Sequence, residues 1–325
     1  MANTIAPQLR VLLPLKPKDD LGDLTRVLRA ILAPGATHAR RLYVHRPVET
    51  EFFIPETYAR LPEIAQLEFD AENATRAETE REMEPLAAAG FGVSAEVVRG
   101  IPTEEVLREA SLWRADLVVA RTRSAMAQDR KIGGMAAALL HHATCGVLLY
   151  RDVPPDYRVR HVLIPTDFSS SARQSADWGL ALADVTGAQL YLLHVIARWN
   201  NRHGIHQDEL LNMAAAELER WQARGNSLPG RLIEHGQVLE ASTPAEGILD
   251  YAQKKRIDLI VMSATGLSAV RAALLGSNTR KVVRASPCPV LVIPTFNRVS
   301  VQSFLDRARF FQAEPELAQA WRCAG

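Results

Sequence analysis

The chain has 325 residues, 47% of them hydrophobic and 23% charged, with a formal net charge of +1. That length exceeds what one core usually holds and makes two domains the expectation. A nearly neutral chain gives no electrostatic reason to expect nucleic acid or an acidic membrane as partner, and no apolar run approaches the ~20 residues needed to cross a bilayer.

The opening residues, Met1 to Pro7, lack a basic segment followed by an apolar stretch, so no secretion signal is expected. The three cysteines, Cys145, Cys288 and Cys323, are far apart and odd in number. Neither a disulfide framework nor a zinc site is indicated, and a reducing cytoplasm fits.

Taken in chain order, the first half shows apolar segments at Val11–Pro14, Leu42–His45, Asp116–Ala120 and Ala143–Leu149. Each recurs in the second half, in the same order, as Val162–Pro165, Tyr191–His194, Asp258–Met262 and Ser286–Val292. Such an ordered repeat points to duplication of one domain. Between the copies lies Asp152-Val153-Pro154-Pro155-Asp156, whose paired prolines can continue neither a helix nor a central strand and so mark a short, stiff linker. The expected organisation is a first domain over 1–151, a linker over 152–158, a second domain over 159–296 and a tail over 297–325.

The second copy reads as alternating strands and helices. Val159–Ile164 is a strand, and Ser169-Ser170-Ser171 caps a helix that Gly187 ends. Leu190–Val195 is a second strand, followed by a helix over Asp208–Arg224 and a short third strand at Arg231–Glu234. Thr243-Pro244-Ala245-Glu246 is a capping box with proline at the first helical position, and Lys254-Lys255-Arg256 closes that helix. Leu259–Met262 is the fourth strand, Asn278–Ala285 a helix and Val290–Ile293 the fifth strand. Continuous aliphatic strands alternating with helices imply a parallel sheet covered on both faces. The expected fold is therefore α/β, two tandem doubly wound five-stranded sheets.

In such sheets ligands bind beyond the carboxyl ends of the strands, where strand order reverses. Asp167 follows the first strand of the second copy, Ser263-Ala264-Thr265-Gly266 follows the fourth, and Gly276-Ser277 opens the next helix. A helix N-terminus offers unpaired N–H groups and partial positive charge, and Gly276 would let an anion approach the backbone. Ser277 and Thr279 carry hydroxyl donors, Gly266 suits a tight turn, and Asp167 is an acceptor for ribose hydroxyls or an adenine amino group.

These residues resemble the universal stress protein family, whose ATP-binding members carry Gly, two residues, Gly, nine residues, then Gly-Ser or Gly-Thr. Gly266 and Gly276-Ser277 match the later positions, and Leu267–Leu275 gives the nine-residue spacing. Pro165-Thr166-Asp167-Phe168-Ser169, Leu193-His194-Val195 and Ser286–Val292 are similar to family segments too. The resemblance covers 159–294 well and 9–151 more weakly. It implies an ATP-binding, regulatory and non-catalytic protein. Pro165 and Thr166 open the site; Asp167 and the main chain of Val195 would meet the adenosine part, and Met262 and Ser263 would floor the ribose. Gly266, Gly276, Ser277, Asn278 and Thr279 would surround phosphates that themselves hold Mg²⁺ or Mn²⁺.

Ser263 departs from the pattern, since it stands where ATP binders carry glycine and would weaken binding if that position needs φ > 0 or touches the nucleotide. The first copy departs further. Lys16 replaces Asp167, Arg121-Thr122-Arg123-Ser124 replaces Ser263–Gly266, and Gly133-Gly134 ends a loop one residue shorter. No ATP site of this type is expected there.

Other candidates have plainer readings. His203 and His206 belong to a polar loop rather than a metal site, His141-His142 to a helix surface, His194 to loop support and Cys288 to the core. Phe304, Leu305, Ala308 and Phe311 form an amphipathic stripe in the tail, able to pack on this protein or dock a partner. A catalytic hydrolase of the related fold would need a glycine-rich loop after the first strand, and Thr166–Ser170 contains no glycine. A nucleotide-free scaffold is the alternative function. The two copies are expected to form an internal pseudo-dimer through their fifth strands, with homodimerisation through the tail as a further expectation.

Overall fold

The computed structural model describes residues 8–16, 19, 21–45, 61–122, 132–198, 207–226, 233–266, 275–295, 297 and 299–302. His203, His206 and the apolar stripe from Phe304 to Phe311 lie outside these residues.

The first half contains β1 (Leu9–Pro14), α1 (Leu21–Ile31), β2 (Thr37–His45), α2 (Leu61–Arg81), α3 (Glu84–Ala88), β3 (Gly92–Arg99), α4 (Pro102–Leu112), β4 (Leu117–Arg121), α5 (Gly134–His142) and β5 (Gly146–Tyr150). The second half contains β6 (His161–Pro165), α6 (Ser170–Thr186), β7 (Gln189–Ala197), α7 (Gln207–Asn226), β8 (Ile233–Ala241), α8 (Pro244–Lys254), β9 (Leu259–Ser263), α9 (Ser277–Ala285) and β10 (Val290–Ile293).

Strand order is β3-β2-β1-β4-β5-β10-β9-β6-β7-β8. Each half is thus a parallel, doubly wound five-stranded unit, as its aliphatic strands predict. The units are continuous through the antiparallel pair β5–β10, where Leu291 faces Leu148. The fifth strands do meet, so the chain forms one ten-stranded sheet with its own twofold seam. Because that seam is antiparallel, the carboxyl ends of the parallel strands point to opposite rims in the two halves.

Hydrogen bonds repeat across the duplication. Asp116, just before β4, accepts the Arg10 N–H at 2.8 Å. Asp258, just before β9, accepts the N–H of His161 at 2.9 Å. The strand register corrects one detail of the sequence repeat. Pro14 pairs with Leu42 and Pro165 with Leu193, so Leu42 corresponds to Leu193 and Tyr43, not His45, corresponds to His194. Setting Leu42–His45 against Tyr191–His194 slips the strand by two residues. A slip of two preserves which face each side chain occupies, so alternation cannot reveal it.

The helix signals act as expected. Ser169 caps α6 by accepting the Ala172 N–H, and Gly187 ends it in the left-handed region at φ 70°. Thr243 accepts the Glu246 N–H at 3.3 Å at the start of α8. The third strand of the second half differs from its predicted position: β8 runs Ile233–Ala241 rather than Arg231–Glu234. It is an edge strand, so its polar residues Gln237 and Glu240 cost little and break the apolar signal that would have marked it.

One apolar core, from Leu9 to Val299, spans both halves. The segment joining them is packed into it: Val153, Tyr157 and Val159 are buried, and the Tyr157 hydroxyl donates to the Asp258 carbonyl at 2.8 Å.

Candidate functional site

Strand order reverses between β6 and β9, which separate at their carboxyl ends. A cavity opens there, with about 670 Å³ of empty space, part of it continuous with solvent. All eleven residues singled out from the sequence line it. Pro165, Thr166 and Asp167 come from the end of β6, and Val195 from β7. Met262, Ser263 and Gly266 come from β9 and the turn after it, and Gly276, Ser277, Asn278 and Thr279 from the start of α9. Sequence reading missed Pro244 and Ile248 of α8, which close an apolar side of the cavity; their capping-box and core roles masked them.

The N-terminus of α9 is open. Its cap residue, Gly276, has φ −58° and provides no side-chain acceptor. The first-turn N–H groups of Ser277, Asn278 and Thr279 therefore lack intrahelical acceptors. The turn is fixed from outside: Gly276 N donates to the Ala264 carbonyl at 2.8 Å, and Thr279 Oγ1 donates to the Ser263 carbonyl at 2.9 Å. The Thr279 hydroxyl is thus committed to the protein, leaving its N–H to face an anion. A Cβ at Gly276 would lie 3.2 Å from the Ala264 carbonyl oxygen, so this crossing is tight.

Neither Ser263 nor Gly266 holds a left-handed backbone. Ser263 is an extended β9 residue paired with Ile293, not a positive-φ position, and its hydroxyl donates to the Thr265 carbonyl at 2.6 Å. Serine there imposes no backbone strain. Gly266 also lacks positive φ; what glycine provides there is space, since a Cβ would crowd the tip of the Asp167 side chain at Oδ2. Asp167 Oδ1 in turn accepts the Ser169 N–H at 3.1 Å.

Phe168, between Asp167 and the cap of α6, has φ 64°. Positive φ is rare for a bulky residue and marks local strain. Its ring stacks on His194 at 4.5 Å and meets Trp221 edge-on at 5.7 Å. His194 Nδ1 lies 2.8 Å from the Thr166 carbonyl. A carbonyl only accepts, so Nδ1 carries the proton and His194 ties β7 to the β6 loop, the support role expected of it. Burial holds its pKa below the ordinary histidine value, against the Thr166 hydrogen bond and the Asp167 carboxylate, which pull it upward.

The described residues at the corresponding place in the first half form ion pairs. Arg121, in the place of Ser263, meets both Asp23 and Asp152. Arg41 corresponds to Leu192, is fully buried, and donates to the Lys16 carbonyl at 2.8 Å while pairing with Glu82. His141 and His142 end α5, as expected; Cys288 is half-buried and packs against the core rather than within it, and desolvation pushes its thiol up to about 12, which keeps it protonated. Among the described residues, no cluster of three or more His, Cys, Asp or Glu is disposed to hold a metal, and no helix is long and apolar enough to cross a membrane.

Fold and cavity together define a tandem doubly wound α/β protein with a cleft at the switch point of its second half. The profile of the universal stress protein family matches residues 19–151 and again 158–294. The chain belongs to the universal stress protein family, as a tandem member. The universal stress protein in the QAH/OAS sulfhydrylase 3′ region of Thermus aquaticus is 35% identical over 133 residues, 41% of this chain and 96% of that protein. Universal stress protein MJ0531 of Methanocaldococcus jannaschii is 28% identical over 148 residues, 41% of this chain and 81% of that one. The crystal structure of a universal stress protein from Archaeoglobus fulgidus shares the fold over 87% of this chain and 97% of its own, with a TM-score of 0.59 at 18% identity.

Proposed function

We propose that this protein binds ATP in the cleft of its second half and serves as a regulatory, non-catalytic stress-response protein in the cytoplasm. The observation that carries the reading is the uncapped N-terminus of α9 facing the same cavity as Asp167. First-turn amides and the helix dipole suit a phosphate chain. The Asp167 carboxylate suits ribose hydroxyls or the base amino group, and Val195 offers its main chain to the base. The spacing of Gly266 from Gly276-Ser277, shared with ATP-binding members of the family, supports the same assignment.

The described lining residues include no lysine or arginine. The triphosphate charge would then be met by the α9 amides and by Mg²⁺ or Mn²⁺ carried on the phosphates, and chelation with EDTA should weaken binding. Occupancy would alter the surface around α9 and so the choice of protein partner.

The lack of cationic side chains among the described lining residues also suits a second reading, a nucleotide-free scaffold. Equilibrium dialysis of Mg-ATP against the full chain separates the two, with Gly276→Asp as the control that places a carboxylate against the α9 amides. Uptake by the wild type and loss in the variant is the expected result; equal, negligible uptake by both leaves the scaffold.

A further inference from the structure

The fifth strands of the two copies pair as equivalents across the seam, but the side chains that follow them differ. Arg151 follows β5 directly, and Pro294 holds the matching position after β10: the residue before each accepts the N–H that follows the fourth strand, Thr122 N to the Tyr150 carbonyl and Ala264 N to the Ile293 carbonyl. Arg151 Nε donates to Thr122 Oγ1 at 3.1 Å, within the first half. Its other nitrogens cross the seam to the C-terminal end of α9, donating to the carbonyls of Val283 at 3.0 Å, Ser286 at 3.2 Å and Arg284. Proline has no side-chain donor, so the reciprocal contact to α5 cannot be made from Pro294.

These acceptors are the carbonyls a helix leaves unpaired at its C-terminus. Val282 O is satisfied by the Ser286 N–H, and the arginine fork takes the next ones. Among the described residues no carboxylate forms an ion pair with Arg151; burial lowers its pKa, and its charge faces the negative end of the helix dipole. The other end of this nine-residue helix is the open turn at Gly276, ~13 Å away at 1.5 Å per residue. The helix is thus held at one end by the Ser263 and Ala264 carbonyls of its own half and at the other by the first half.

We propose that Arg151 is a positioning residue for the phosphate cradle, so that the first half sets the affinity of the second half's cleft. This rests on the ATP-binding reading given above. By linkage, nucleotide in the cleft tightens the junction at Thr122 to the same degree. A degenerate first copy then retains a task without a ligand of its own.

The test uses the full-length chain and Mg-ATP titrated calorimetrically into wild type, Arg151→Met, Arg151→Lys and Thr122→Val, below the melting temperature of each. Hydrogen exchange of the 275–285 segment is measured without nucleotide. Loss of this helix-end contact should raise Kd about three- to tenfold in Arg151→Met and less in Arg151→Lys, which keeps the charge but not the fork. Exchange across 275–285 should quicken in the same order. A merely structural role would lower the melting temperature and leave Kd unchanged. If Arg151→Met does not fold, Thr122→Val, which removes only the first-half anchor, should show a smaller weakening. Wild-type affinity in the folded variants overturns the inference while the ATP reading stands; a wild type that takes up no ATP overturns the reading itself.

Discussion

At Gly266 the chain has room for a hydrogen and no more. The Asp167 carboxylate occupies the space a side chain would take, 2.3 Å from the built Cβ. Because the backbone there is not left-handed, Gly266→Ala should fold, and the displaced group is the tip of a flexible side chain. The cost should fall on Asp167 and not on the core. We expect Mg-ATP affinity to drop about tenfold, or ~1.4 kcal/mol, with a melting temperature near wild type. Calorimetric titration beside a thermal melt checks both, and undiminished affinity would remove Asp167 from the binding surface. His194 gives a prediction with a definite sign. Its folded pKa lies below its ordinary value because burial disfavours the charged ring. The unfolded chain therefore binds more protons as pH falls below about 6.5, so His194 stabilises the fold above that pH and this contribution is lost on acidification. His38, half-buried and likewise lowered by desolvation, adds to the same slope. His194→Gln should flatten the decline in stability between pH 7 and 5 measured by urea titration, while His38 preserves part of it.

Among the elements, the strands were the easiest to read, because a parallel strand covered on both faces must be aliphatic throughout. The caps of α6 and α8 were equally plain, since Ser169 and Thr243 perform in the structure the local chemistry their positions advertise. The cleft residues were legible for a related reason: they follow strand ends, and helix-start chemistry needs glycine and small hydroxyl residues in a short stretch of chain. What was not legible depends on contacts distant in sequence. The crowding of Gly266 by Asp167 involves residues 99 positions apart. The edge position of β8 is decided by its neighbours rather than by its own residues, and the two-residue slip between β2 and β7 leaves every facing unchanged. The grip of Arg151 on α9 spans more than 130 positions, and nothing near Arg151 in the sequence points to it.

For the whole molecule, the seam determines how the halves assemble. Val290, Leu291 and Val292 pair with Leu149, Leu148 and Val147 in the middle of a continuous sheet. A chain reduced to residues 159–296 would present that β10 edge bare, flanked by the apolar surface that the first half now covers. Unpaired apolar edges recruit another strand, and the antiparallel geometry lets β10 pair with a copy of itself about Leu291. The isolated second half should therefore be a dimer by light scattering, and Leu291→Lys, which places a charge at the centre of the new pair, should return it to a monomer. A stable monomer without that substitution would show that the seam depends on side chains particular to the first half.

Two copies joined about a twofold axis ordinarily give an object with matching ends. Here the backbone keeps the axis and the side chains do not: one margin is a hollow edged by the first turn of α9, the other carries Arg121 paired with Asp23 and Asp152. A molecule so built has a direction. Its two ends offer different side chains to whatever approaches, although one fold serves both.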